Sequence, residues 1–218
     1  MPSVPDVAPA RRTGRLPAAA VAAHDAALVA AAGRLFRRHG YAGTSIDMIA
    51  REAQASPKTL YARYGGKLGL FRAVIDGLVE RPLSAWDALD PAADPSEVLP
   101  DAADRFLAVV LSPDVLAMER AIIAEAPRLP ELAETFYARG PRRGLDRLAG
   151  YLAELAARGR VRADDPHATA ELFIGMIEGE LVRRALFLGE EPDAATRRGW
   201  VDRAVRAFLA ALAPGTAA

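Results

Sequence analysis

The strongest constraint on this chain is the stretch TSIDMIAREAQASPKTLYARYGGK, residues 44–67. Two short amphipathic segments are split there by a tight turn. Ile46, Ile49, Ala50 and Ala53 recur at i, i+3, i+4 and i+7, which lays one apolar face along a helix. Thr44 stands before it as an N-cap, with Asp47 three residues on, a variant of the capping box. Gln54-Ala55 make the turn. Ser56 then caps a second helix, residues 57–64, and Pro57 takes its first position, where a missing N–H costs nothing. Leu60 and Tyr64 sit at i and i+4 and point inward, and Gly65-Gly66 end the segment. So short a helix is not stable alone and has to be held by its neighbours. Lys58, Thr59, Tyr61 and Arg63 are left for its outer faces. The pattern reads as a helix-turn-helix whose second helix enters DNA.

The flanks fit that reading. A first helix over residues 21–39 carries Leu28, Ala31, Ala32, Leu35 and Phe36 on one stripe. Arg37, Arg38 and His39 crowd its last turn, where cations complement the helix dipole, and Gly40 follows as the C′ residue. Tyr41 is expected to pack under the next helix. After Lys67 a helix runs to about residue 81, with Leu70, Phe71, Val74, Ile75 and Leu78 at helical spacing. A Pro- and Asp-rich loop spans residues 87–95. Further helices are expected from a Ser96 cap to 111, from Ser112-Pro113 to 126, over 131–139, 142–158 and 167–188, and from 193 to 212. Gly140-Pro141 reads as a break or kink. No alternating run of β-branched residues competes, so the fold class is all-α: a three-helix head followed by a helical bundle body.

The formal net charge is zero, which by itself argues against a nucleic-acid partner. The average hides an asymmetry. Residues 1–80 hold 11 Lys/Arg against 6 Asp/Glu, and residues 81–218 hold 17 against 22. A basic first third joined to an acidic remainder fits a DNA-binding head on a body with another task. There is no cysteine, which excludes disulfides and thiolate metal sites and is compatible with a reducing cytosol. No run of 18 apolar residues occurs, so no membrane helix is expected.

The run GTSIDMIAREAQASPKTLYARYGGKLGLF resembles the N-terminal domain of TetR-type bacterial transcription regulators. Thr44, Ile49, Ala50, Ala53, Ser56, Thr59, Leu60, Tyr61, Lys67 and Leu70 carry the match. Gln54 stands where that family usually has glycine, Ala55 where it has valine and Tyr64 where it has phenylalanine. Gln54 is expected to strain the turn. The stretch MERAIIAEAPRLPELAETFYARGPRRGLDRLAGYL also resembles the body of one subgroup, the AefR-like regulators. The resemblance implies a cytoplasmic homodimeric repressor, released from a palindromic operator in double-stranded DNA by a small, largely apolar ligand. In that family the last two helices pair with those of a twin.

Residues divide into duties on this reading. Thr44 and Lys67 bracket phosphates, with Ser45 and Ser56 beside them. Tyr61 and Arg63 make backbone contacts. Lys58 and Thr59 are the candidates for base edges, since lysine suits guanine and the threonine methyl suits thymine. In the body, Met118, Ile122, Phe136, Tyr137, Phe173, Met176 and Ile177 are candidates to line a ligand pocket, although each also serves as plain core. Glu178, Glu180 and Arg183 face a ligand, a dimer salt bridge or water, with water or the dimer ranked first.

The domains read as a flexible basic tail at 1–20 with Arg11, Arg12 and Arg15, a DNA-binding head at 21–66, a ligand-binding and dimerising body at 67–213, and a short tail at 214–218. His24, His39 and His167 are isolated, and no P-loop, dinucleotide or nucleophile-elbow motif appears. No enzyme, metal or cofactor is therefore expected. The alternatives are a helical interaction protein that has lost DNA binding, or an activator or ligand-independent regulator.

Overall fold

The computed structural model describes residues 18–213. Ten helices and no strand occur among them: α1 Ala18–His39, α2 Ile46–Glu52, α3 Pro57–Tyr64, α4 Lys67–Asp87, α5 Pro95–Val110, α6 Pro113–Glu125, α7 Pro130–Arg139, α8 Pro141–Ala157, α9 Pro166–Leu188 and α10 Ala194–Ala211. Of the expected tails, residues 1–17, with Arg11, Arg12 and Arg15, and residues 214–218 lie outside the described residues; residues 18–20, expected in the tail, belong instead to α1.

The head forms because three helices bury their stripes on α4. Leu28 and Phe36 of α1, Ile49 of α2 and Leu60 of α3 are all completely buried, and Leu70, Phe71 and Ile75 of α4 close the cluster. Phe36, Tyr41 and Phe71 form an aromatic trio with ring centroids 5.4–5.6 Å apart, so Tyr41 packs where its position after α1 predicts. The cluster does not stop at the head. Met118 and Ile122 of α6 and Leu132 of α7 belong to it, and Arg37 on α1 pairs with Asp114 on α6 at 3.0 Å.

A second core joins α5, α8, α9 and α10 to the end of α4. Trp86 leans on Phe106 at 4.9 Å between centroids, and Phe173 on Phe208 at 4.5 Å. Arg197 of α10 forks onto Asp104 of α5 at 2.8 and 3.2 Å, bracing the bundle from outside. Thus α4 serves both cores, its first half under the head and Trp86 in the body.

Three local expectations are corrected. Helix α4 does not end at residue 81 but runs through Pro82 to Asp87. The proline forfeits one helical hydrogen bond, and the near-complete burial of Leu83 and Trp86 beyond it outweighs that loss. Asp94, not Ser96, caps α5: its carboxylate accepts from the Ser96 N–H at 2.8 Å and the Ser96 hydroxyl at 2.7 Å. Ser45, not Thr44, caps α2, accepting from the Met48 N–H at 3.2 Å.

Helix α9 is broken within its span. Gly179 takes φ +29°, ψ −125°, which is not helical. The indole N–H of Trp200 on α10 donates there to the carbonyls of Ile177 at 2.9 Å and Met176 at 3.2 Å. Both carbonyls lie in the turn just before the break, where a donor from outside supports a disturbed helix.

Candidate nucleic-acid interface and ligand cavity

The outer face of α3 is built by its cap. Ser56 Oγ accepts from the Thr59 N–H at 3.1 Å and lies 2.8 Å from the Thr59 hydroxyl. With Leu60 buried and Tyr64 half-buried against α1, Lys58 and Tyr61 turn outward, and Tyr61 is 58% exposed. Gly65 ends the helix in the left-handed region at φ +73°. Gly66 follows at φ +120°, with the Tyr61 ring close against it.

The other residues assigned to DNA have protein partners. Thr44 is buried; its hydroxyl donates to the Gly40 carbonyl at 2.8 Å, with the Leu35 carbonyl 3.1 Å away. The Lys67 ammonium donates to the carbonyls of Tyr41 and Thr44, both at 2.9 Å, and lies 4.4 Å from the centre of the Tyr41 ring. Burial lowers its pKa from the usual lysine value. Arg63 pairs with Asp25 of α1. The physical reason is common to all three. Each lies at a seam between helices, where unpaired carbonyls or a carboxylate need a donor more than solvent does. Ser45 and Ser56 are exposed caps, and Thr59 shares its hydroxyl with Ser56.

The turn carries its expected strain. Gln54 has φ +52° and is the one described non-glycine residue with positive φ. A side chain is disfavoured in that region, which glycine enters freely.

In the body a cavity of about 140 Å³ lies under α4, between α5, α6, α7, α8 and α9. Its wall is apolar, with Leu83, Phe106, Phe136 and Ile174 prominent, and Met118 belongs both to it and to the core beneath the head. Of the seven candidates, Met118 and Phe136 line it. Ile122 packs in the first core, Phe173 and Ile177 in the second, Tyr137 is 52% exposed, and Met176 backs onto Trp200.

Two carboxyl groups interrupt the apolar wall: Glu119 of α6 and Glu178 of α9. Burial pushes each up to about 7, with Arg120 opposing the rise at Glu119 and the Glu119 charge adding to it at Glu178. Glu178 thus lines the cavity, the alternative ranked below water or a dimer contact, and Glu119 was missed. The signal was present. Val115, Met118, Glu119 and Ile122 fall at i, i+3, i+4 and i+7, so the acid occupies a position on an apolar stripe.

The comparisons with known proteins bear on the family and the fold. Residues 28–74 match the profile of bacterial regulatory proteins of the tetR family, and residues 97–214 match the C-terminal domain of AefR-like transcriptional repressors. The chain belongs to the TetR family. Among solved structures, a TetR-family transcriptional regulator of Mesorhizobium loti MAFF303099 is 30% identical with a TM-score of 0.79, covering 88% of this chain and 98% of that one. The flavonoid-responsive regulator FrrA is also 30% identical, with a TM-score of 0.78, covering 89% and 100%. The HTH-type transcriptional repressor ComR of Escherichia coli (strain K12) is 46% identical over 48 residues, which is 22% of this chain and 23% of ComR. The repressor SCO4008 of Streptomyces coelicolor is 51% identical over 41 residues, 19% and 21% of the two chains. The chain therefore matches only about a quarter of the length of these curated relatives. As a TetR-family protein it is a DNA-binding regulator with an AefR-like body. None of its described helices is long and apolar enough to cross a membrane.

Proposed function

We propose that the chain is a cytoplasmic, homodimeric transcriptional repressor that leaves its operator when a small molecule enters the α4–α9 cavity. The observation that carries this reading is Met118, a wall of the cavity and a member of the core on which the reading head rests. A ligand that moved α6 would move the seat of the head. The relatives support the two halves separately. ComR and SCO4008 are named repressors, and FrrA is named for its response to flavonoids.

On this reading Lys58 and Tyr61 of α3 face the major groove and its rim, with Thr59, Ser45 and Ser56 beside them. Lys67 has three N–H donors and spends two on carbonyls, which leaves the third for a phosphate. Arg63 and Thr44 act indirectly, by fixing α3 on α1 and α2. Dimerisation follows from the need for two short reading helices on one palindrome. The surface assigned to it is the outer face of α9 and α10, where Leu172 is 68% and Phe187 83% exposed.

The test is a gel shift on the DNA upstream of the chain's own gene. The parent binds with an affinity that falls steeply with salt, and Tyr61→Ala and Lys58→Ala bind more weakly while melting like the parent. Equal binding by both variants refutes the assignment of α3. Sedimentation reads the dimer, and a monomer at working concentration refutes that part.

A further inference from the structure

The cavity is apolar except for two acids, and that exception restricts what can occupy it. Glu119 and Glu178 enter from α6 and α9, and neither makes a hydrogen bond or ion pair with a described residue. The nearest cation in sequence, Arg120, is occupied: its guanidinium donates to the carbonyls of Leu186 at 2.9 Å and Ala185 at 2.5 Å. From the described parts of α4, α5, α7 and α8 no charged side chain reaches the cavity. The charges that bear on the pair are Arg120 and the pair itself.

We propose that the cavity selects a small amphiphilic cation, one ring-sized apolar group bearing a protonated amine, held by the carboxyl groups of Glu119 and Glu178. This rests on the ligand-responsive reading above and names the class of ligand. Space of this order takes about one benzene-sized ring. The charge argument favours this class over the others. Two coupled acids share protons, so the pair near neutral pH carries about one negative charge. A monocation makes the filled cavity neutral. A neutral ligand leaves the buried charge unpaired, and an anion adds to it.

The position of the acids also gives the ligand a mechanical target. Glu178 immediately precedes the break at Gly179, and Glu119 precedes the arginine that holds the last turn of α9. An amine drawing the two acids together acts on both halves of α9.

The experiment uses the full chain and three probes of one shape: phenethylamine, phenethyl alcohol and phenylacetate. Calorimetry and thermal melts at pH about 7 keep the amine protonated and leave the pair with about one negative charge. The amine is expected to raise Tm and to bind about tenfold more tightly than the alcohol, and phenylacetate not to bind. Glu119→Gln and Glu178→Gln each weaken the amine about tenfold without changing the affinity for the alcohol. Their own melts establish that they fold. An alcohol that binds as well as the amine, an amine that does not bind, or amine binding retained in the double Gln variant overturns the proposal. A parallel gel shift separates the two readings. Protein that holds its DNA but ignores the amine refutes the ligand class alone; protein that never binds its DNA refutes the regulator.

Discussion

The Lys67 ammonium donates to the Thr44 carbonyl at 2.9 Å and so ties the start of α4 to the entry of α2. Thr44 in turn holds the end of α1 through its hydroxyl. Two side chains therefore fasten three helices of the head. Thr44→Val keeps the shape and removes the hydroxyl, leaving the Gly40 carbonyl without its donor. A loss of about 1–3 kcal/mol is expected in denaturant melts. Lys67→Met should cost about 2 kcal/mol and also weaken DNA binding. Melts identical to the parent would show that neither residue is a structural tie.

Gln54 offers the opposite sign. Its backbone is left-handed at φ +52°, so Gln54→Gly relieves a conformation that costs an ordinary residue about 1–2 kcal/mol. Part of that gain is returned as unfolded-state entropy. Chemical denaturation should show a net stabilisation of about 0.5–1 kcal/mol. Gln54→Val should destabilise, because a β-branched residue is worse still at positive φ.

The acid pair predicts a pH dependence. Glu119 and Glu178 have folded-state values raised to about 7, above the unfolded value of 4.5. The folded chain then holds protons that the unfolded chain has lost. Stability from these groups is full below the unfolded value and declines as pH rises to about 7, then levels. Glu178→Gln should accordingly raise Tm at pH about 8 and make little difference at pH about 4. A variant that melts below the parent at the higher pH would contradict the burial of that charge.

The break in α9 should depend on Trp200. Trp200→Phe keeps the ring but leaves the carbonyls of Met176 and Ile177 without the indole donor, at a cost of about 1–3 kcal/mol. Gly179→Ala should cost a similar amount. Its φ is +29°, and an added Cβ would stand 3.3 Å from the Trp200 ring. Tm values for both variants measure it, and an unperturbed Gly179→Ala protein would mean that the helix straightens freely.

What could be read from the chain divides by the range of the cause. Helix starts at Ser56-Pro57 and Asp165-Pro166 are legible because cap and proline act within a few residues. The strain at Gln54 is legible for the same reason. The run of α4 past residue 81 is not legible, because the burial of Trp86 that carries it comes from the distant Phe106 and Phe173. The cavity is assembled from six helices, and no window of sequence contains it. Phe173 and Phe136 are alike in type and spacing, yet one is solid core and the other a wall. Glu119 was within reach, as an acid set on an apolar stripe.

Met118 has a practical consequence for anyone building hybrid regulators from this chain. The head does not behave as a cassette that can be cut at residue 66 and joined to a foreign body. Its underside is completed by Ile75 of α4, Met118 and Ile122 of α6 and Leu132 of α7. A transplant of residues 21–66 would strand that greasy surface in water and invite aggregation before any promoter was met. The portable unit is the head together with α4 and the side chains of α6 and α7 that it rests on.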